Sequence, residues 1–440
     1  MTLDELRRRD TQHLWHPYTD IGPFEQSEFP VIERAEGIYL HDAEGRALMD
    51  GIASWWCVNL GHSHPRLVRA LRDQAEQLQH CILGGMSHPP AIELAARLTR
   101  LVPMDASHVF FAGDGASAVE VALKIALLYW INTGHEGRTK FICLQDGYHG
   151  DTLGAMGVGY VEKFHRNLRG VIPVAHRSCS PHCARCPMGK EPQTCGVECF
   201  ESMRELVEQH HEETAGVILE PLCQGAAGTR IYPEEYLRRA RRLCDEYGLL
   251  LIADEIAVGF GRTGSMFACE RAGIQPDLMC VGKGMTGGYL PMSAAVVSDK
   301  VYDTFRGADG WNRTLYHGHT FGGNPITSAL AIAAIDVYEQ EEVVEKCQPR
   351  IRQLAQGMQE IEAMLSDSMA LTVGLIGAVE LSDADGGSER AGRIARAAFD
   401  RGLFIRPLGA SVYLWPPLII SEAELGRMLA VLREAFQATA

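Results

Sequence analysis

Several features are scarce in this 440-residue chain. No run reaches about 18 uncharged apolar residues, the length a helix needs to cross a bilayer, so no membrane span is expected. The N-terminus carries Arg7, Arg8 and Arg9 but no apolar stretch behind them, and does not read as a secretory signal. Positive charge is in deficit: 41 Lys and Arg face 56 Asp and Glu, a net charge of −15. That sign repels phosphate backbones, so no nucleic-acid partner is expected, although one local anion site stays open. Cysteine, at 13 residues, is too sparse for a disulfide scaffold. The number is odd, and Cys143, Cys269 and Cys280 lie inside apolar segments, which points to a reducing cytoplasm. No internal repeat and no low-complexity segment stands out.

What is present is ordinary for a globular protein: 46% hydrophobic and 22% charged residues. The length suits two or three domains, or one large α/β domain with an appendage. It also suffices for a large core without disulfides or a structural metal. Short apolar runs alternate with helix-period segments through the middle of the chain. Ser107 to Ala112, Thr139 to Leu144, Ala215 to Leu219, Leu249 to Ala253, Leu278 to Val281 and Ser293 to Val297 read as strands. Ala116 to Trp130 and Tyr236 to Tyr247 read as helices. The alternation implies an α/β fold with a mostly parallel sheet covered on both faces and ligands at the carboxyl ends of its strands. After about Pro325 the pattern changes to a long Ala/Ile helix, a charged helix, short strands and a last helix opening on a Ser421 capping box. Residues 331–440 are therefore expected to form a smaller α+β domain, joined by residues 1–60, with 61–330 as the large domain.

Three signals stand at strand ends. Asp254 directly follows Leu-Leu-Leu-Ile-Ala, Lys283 follows an apolar run inside Gly-Lys-Gly, and Gly113-Asp114-Gly115 links a strand to a helix. The glycine turn leaves backbone N–H groups and a helix dipole aimed at one point, which suits a phosphate; an ordinary strand–helix turn is the alternative. An acid at a strand end often only caps the next element. A lysine in an apolar strand-end pocket is more unusual, because lysine is rarely buried unpaired. Desolvation there exposes the amine lone pair that Schiff-base chemistry needs. Together the three describe a site for pyridoxal 5'-phosphate: a lysine for the aldehyde, a carboxylate for the pyridine nitrogen and a cradle for the phosphate. Gly259 to Gly264 also matches G-x-G-x-x-G, but five residues separate it from its strand and no full helix follows, so a dinucleotide site is not expected there.

The order I-A-D-E-I-A-V-G-F-G-R-T-G, then G-K-G-M-T-G-G, then H-G-H-T-F-G-G-N-P resembles the class III, or omega, pyridoxal-phosphate aminotransferases over nearly the whole chain. The resemblance implies the fold-type I architecture, a homodimer with active sites at its interface, and small-molecule substrates. It makes Lys283 the Schiff-base lysine and Asp254 the partner of the pyridine nitrogen, and stacks Tyr148 on the ring. Gly115 and the Ala116 backbone would bind the phosphate, with Thr320 reaching it from the second subunit. The family often has Ser or Thr where this chain has Ala116, so one hydroxyl is missing unless Ser117 replaces it. Finer motifs, L-W-H-P-Y-T, S-W-W, Y-H-G-D-T and R-P-L-G-A-S-V-Y-L-W-P-P, are similar to the branch that aminates 8-amino-7-oxononanoate in biotin biosynthesis. Its amino donor is S-adenosylmethionine or, in some members, lysine. That likeness puts Tyr18, Trp55, Trp56 and Tyr148 in the substrate pocket, together with Asp151, Gly318, Arg406 and Tyr413. Tyr18 is also counted as catalytic beside Lys283 and Asp254. Other omega-aminotransferases, acting on 4-aminobutyrate, ornithine or a diamine, are the alternative. An aromatic wall suits a long aliphatic substrate and Arg406 offers a bidentate grip on a carboxylate. Adjacent strand residues face opposite sides, so only one of Trp55 and Trp56 is expected to reach the ligand.

One segment stands apart. Residues 176–199 contain Cys183-x-x-Cys186 and Cys195-x-x-x-Cys199, with Cys179 and His182 nearby. Four thiols at such spacing are candidate ligands for zinc or an iron–sulfur cluster. A loop of free thiols is the alternative, and no chemistry is assigned to the insert.

Overall fold

A computed structural model describes residues 1–191, 194–307 and 313–440. Seven strands form the central sheet: β1 Ser107–Ala112, β2 Lys140–Leu144, β3 His176–Ser178, β4 Thr214–Leu219, β5 Leu250–Asp254, β6 Leu278–Val281 and β7 Ser293–Ser298. Their order is β1-β7-β6-β5-β4-β2-β3. Only β7 runs against the others, pairing antiparallel with both β6 and β1. Just residues 282–292 join β6 to β7, too few for the helical crossover that a parallel pair needs. Six of these strands follow apolar runs legible in the sequence; β3, three residues at the sheet edge, was not expected.

The continuous apolar runs are explained by burial on both faces. Along β5, Leu251 and Ala253 enter one core, while Leu250 and Ile252 enter another on the opposite face. The helix Gly115–Asn132 covers the second face with Ala118, Val121, Ala122 and Ile125. By length and composition alone this helix could cross a membrane. Here it lies on the sheet, its Glu120 accepting bonds from Thr152 Oγ1 and the Gly154 and Ala155 N–H groups. The helix Glu234–Glu246 contributes Leu237, Ala240 and Leu243 to the first core.

The two chain ends meet. Ile32–Glu36, Tyr39–Asp42 and Ala47–Asp50 form an antiparallel meander, and Leu403–Phe404 adds to it in parallel beside Ala47–Asp50. A second sheet, Met369–Val373, Ile376–Glu380 and Ser411–Leu414, packs on the helix Val343–Glu362, which Glu422–Gln437 packs against in turn. The capping box forms: Ser421 N donates to Glu424 Oε2 at 2.9 Å and Glu424 N to Ser421 Oγ at 3.2 Å.

Asp385 ties this region together. Its carboxylate accepts from Ser366 N and Asp367 N at 3.0 Å each and from Ser368 Oγ at 2.5 Å. Burial alone would raise its pKa, but these donors outweigh that and hold it at about 2, below the ordinary 3.8. A depressed carboxyl pKa contributes stability that is full above the unfolded value and lost as pH falls through the folded one. Asp385→Asn is therefore expected to cost about 2 kcal/mol at neutral pH. The gap between wild type and variant should close between about pH 5 and pH 2, as read by chemical denaturation across that range.

Candidate active site

The carboxyl ends of β1, β2, β4, β5 and β6 share one edge of the sheet, and the loops leaving them line a cavity of about 640 Å³. Asp254 closes β5 on its floor, Lys283 follows β6, and Tyr148 and His149 follow β2. Glu220 follows β4, and Gly115 and Ala116 open the helix after β1.

Lys283 is held in the left-handed region, at φ +42°, a strained conformation of the kind that concentrates at functional sites. The next residue is glycine in a close-packed position: a Cβ on Gly284 would stand 2.4 Å from Asn59 Nδ2 and displace that amide. Lys283 Nζ lies over the Trp56 ring, 5.0 Å from its centroid, and among the described residues it has no carboxylate ion-pair partner. Burial pulls its ammonium below the ordinary lysine value, with the Asp254 charge opposing. A buried amine with a lowered pKa is what a lysine nucleophile requires. Asp254 is buried, its Oδ1 accepting from Ile256 N at 3.1 Å and its Oδ2 paired with His149 Nδ1 at 2.7 Å. An ionised carboxylate only accepts, so Nδ1 carries the hydrogen and His149 fixes the orientation of Asp254.

Glu220 and His149 escaped the sequence reading of roles. Glu220 is fully buried, and desolvation lifts its pKa to about 7 despite nearby His149. Its two oxygens accept from Tyr148 N at 3.0 Å and Gly225 N at 2.9 Å, so it also anchors the backbone of Tyr148. An acid directly after a buried strand is the signal that singled out Asp254, and applied to β4 it finds Glu220.

The anion cradle lies at the N-terminus of Gly115–Asn132. Asp114 caps that helix, its Oδ1 accepting from Ser117 N and its Oδ2 from Ser117 Oγ, each at 2.9 Å. The Ser117 hydroxyl is thus committed to the cap and does not replace the one absent at Ala116. The Gly115 and Ala116 N–H groups remain for an anion, with the helix dipole behind them. Gly150, at φ +119°, crosses directly over this turn; a Cβ there would sit 2.3 Å from the Ala116 methyl.

An outer chamber of about 1300 Å³ opens from the same lysine. Tyr18, Trp55, Trp56, Tyr148, Asp151 and Arg406 all line it. Asp151 Oδ2 accepts from Tyr18 Oη at 2.6 Å and Tyr148 Oη at 2.9 Å. Burial would raise the Asp151 pKa, but His165, Tyr18 and Tyr148 bond to it and bring it below the ordinary value. Burial, followed by Asp151, pushes the Tyr18 phenol up to about 12. Arg406 lies over the Trp55 ring, 4.9 Å from its centroid, and donates to the Tyr18 carbonyl at 3.0 Å. The chamber thus holds a carboxylate, a guanidinium and several aromatic rings, with Tyr18 touching both charged groups.

The strand premise behind the reading of the two tryptophans is corrected. Trp55 and Trp56 are not on a strand: Ala53, Ser54, Trp55 and Trp56 have φ of 46°, 44°, 77° and 69°. Strand alternation does not apply to a left-handed turn, and both indoles line the chamber. Each such residue costs roughly 1–2 kcal/mol, so the turn requires compensation.

Tyr413 and Gly318 lie outside both cavities, and so does Thr320, which was expected to act from a second subunit. Tyr413 is buried behind Trp56, at 6.3 Å between ring centroids, and lines neither cavity. Gly318 and Thr320 are exposed and do not line their own chain's cavities. The glycine run 259–264 lies outside both cavities too, its Arg262 buried and donating to Asn59 Oδ1 at 2.6 Å and the Pro416 carbonyl at 2.6 Å.

The four cysteines of the insert do not stand in ligating geometry. Zinc holds sulfur at about 2.3 Å, so four thiolates must stand about 4 Å apart. Among the described residues the one group of ligand atoms within 4.8 Å of one another is His176, His210 and Glu213. Cys183, Cys186, Cys195 and Cys199 do not form such a group, and all thirteen cysteines are free thiols. Burial raises Cys183 to about 11 and Cys199 to about 12, with neighbouring cysteines adding to the rise. Positions 192 and 193 of the insert lie outside the described residues.

Similarity to known proteins agrees with this geometry. The aminotransferase class-III family pattern matches residues 23–436. An adenosylmethionine-8-amino-7-oxononanoate aminotransferase from Nitratidesulfovibrio vulgaris is 40% identical, covering 98% of this chain and 81% of its own. One from Geobacter sulfurreducens is 39% identical over 96% of this chain and 94% of its own. The crystal structure of the Methanocaldococcus jannaschii protein of that name superposes with a TM-score of 0.92 at 35% identity, covering 99% of each chain. A PLP-bound amine transaminase from an uncultivated Pseudomonas species gives 0.92 at 32% identity, over 97% of this chain and 99% of its own. Class III aminotransferases use pyridoxal phosphate, and the buried unpaired lysine, the strand-end carboxylate and the capped helix N-terminus fit that cofactor. Strand ends, site chemistry and sequence agree, and the chain belongs to the class III aminotransferases.

Proposed function

We propose that this aminotransferase moves an amino group from S-adenosylmethionine to the ketone of 8-amino-7-oxononanoate, forming 7,8-diaminononanoate for biotin biosynthesis. The observation that carries the reading is the outer chamber: an aromatic lining that also holds Arg406 and Asp151 and reaches Lys283. A long aliphatic acceptor with a carboxylate at one end and an amine near the ketone matches that set of groups. The near-full-length likeness to proteins named for this reaction supports it.

When bound, pyridoxal phosphate supplies an aldehyde and an electron sink. Lys283 would hold the aldehyde carbon and, once displaced by an incoming amine, carry a proton through Nζ. Asp254, oriented by His149, would keep the pyridine nitrogen protonated. Tyr148 would stack on the ring, and the Gly115 and Ala116 N–H groups would hold the phosphate. Asp151, aligned by Tyr18 and Tyr148, would take the cationic group of donor or acceptor, while Trp55 and Trp56 exclude water.

The active unit is a homodimer in this reading. Gly318 and Thr320 lie exposed between Tyr316, 79% exposed, and Phe321, 68% exposed, on a segment suited to completing a partner's cradle. Residues 1–60 and 331–440 form one unit, as the pairing of Ala47–Asp50 with Leu403–Phe404 suggests, and 61–330 the other. The thirteen free thiols suit the cytoplasm.

Arg406→Ala tests the assignment. If Arg406 grips the acceptor carboxylate, the acceptor kcat/KM should fall thirty- to a hundredfold, about 2–3 kcal/mol, through KM. Lysine there should rescue only part, since a point charge does not reproduce the fork. Single-turnover measurement of each half-reaction reads this out, and an unchanged acceptor KM retires the role. Screening S-adenosylmethionine against lysine as donor with the same enzyme settles the donor.

A further inference from the structure

The left-handed turn Ala53–Trp56 is the strained element of the site, and its support comes from Asp50. Asp50 closes the strand Ala47–Asp50 and is fully buried. Its Oδ1 accepts from Ile52 N at 3.3 Å and Ser54 N at 3.0 Å. Its Oδ2 accepts from Ser54 Oγ at 2.7 Å and faces His62 Nε2 at 2.9 Å. His62 is itself fixed, its backbone exchanging two bonds with Gly37, at 2.7 and 3.1 Å. The carboxylate therefore grips the turn from a rigid sheet on one side and a rigid bridge on the other. The turn delivers both indoles to the chamber: Trp56 onto Trp415 at 4.7 Å and over Lys283, Trp55 against Tyr18 at 5.8 Å and Arg406. Four successive L residues do not hold positive φ without such support.

We propose that Asp50, backed by His62, is a positioning residue for substrate selection: it holds the left-handed turn that aims Trp55 and Trp56 at the acceptor. Asp50 touches neither cofactor nor substrate and acts through the two tryptophans. The inference rests on the reading of the outer chamber as the acceptor pocket.

The test compares Asp50→Ala, Asp50→Ala with Ser54→Gly, and Trp55→Ala in the cofactor-loaded enzyme. Kinetics with the acceptor are measured beside near-ultraviolet circular dichroism of the indoles. Asp50→Ala should raise the acceptor KM about tenfold while kcat changes by about twofold or less, and should alter the indole spectrum. Glycine at 54 carries no penalty at positive φ, so Ser54→Gly in that background should recover much of the KM and of the spectrum. A purely structural role of Asp50 predicts no such rescue. If Trp55→Ala raises the acceptor KM and Asp50→Ala does not, the clamp is wrong. If neither raises it, the pocket reading fails instead. Should Asp50→Ala not fold, Asp50→Asn keeps the shape and one acceptor oxygen. Its acceptor KM should rise about threefold, and an unchanged KM with an unchanged indole spectrum overturns the proposal.

Discussion

Lys283→Ala is expected to lose nearly all turnover, by a factor of about a hundred to ten thousand, because the proton-carrying amine is gone. The covalent anchor for the aldehyde goes with it, so the visible absorbance of the lysine-bound cofactor should vanish as well. The structure explains why no other group substitutes. Lys283 is held at φ +42° between Gly282 and Gly284, with its Nζ over Trp56, and burial keeps its amine easier to deprotonate than an exposed lysine. Lys283→Arg should fare little better, since a guanidinium stays protonated throughout the working pH range. Retention of even a tenth of wild-type turnover by the alanine variant would remove Lys283 from the mechanism.

Asp254→Asn is the second large effect. The substitution preserves size and leaves an oxygen for the bonds from Ile256 N or His149 Nδ1. An amide, however, has no negative charge with which to hold a proton on the pyridine nitrogen. Removing one preorganised charged group of this kind costs on the order of a hundred- to a thousandfold in kcat. Cofactor should still bind, though more weakly, because the phosphate cradle at Gly115 and Ala116 and the lysine are untouched. Unchanged steady-state kinetics would place the ring nitrogen elsewhere. A thermal melt separates the chemical loss from a folding defect, since Asp254 also belongs to the central strand β5.

The sequence by itself determined six of the seven strands and the two residues at the heart of the sheet. Strands buried on both faces must be continuous apolar runs, so β5 and β6 are visible as runs and their ends are visible as interruptions. Asp254 and Lys283 are those interruptions, and the glycine turn before Gly115–Asn132 marks the third. The Ser421 capping box depends on a neighbour three residues away and lies close to the sequence as well, whereas Asp385 joins residues 366–368 across a strand pair. Tertiary structure alone decided the rest. Ser117 was available on paper, but Asp114 takes its hydroxyl. Tyr413 shares a motif with Arg406, yet only Arg406 reaches the chamber, because Trp56 stands in front of the tyrosine. The cysteine spacing fits a metal, and the four thiols lie near enough to raise one another's pKa, but they do not stand within 4.8 Å of one another as a ligand set. Trp55 and Trp56 both line the outer chamber on the left-handed turn Ala53–Trp56, which begins three residues after Asp50 and ends six before His62. Local propensity opposes that turn, and its packing offsets the cost: Asp50 and His62 nearby in sequence, and Trp415, Tyr18 and Arg406 from distant segments.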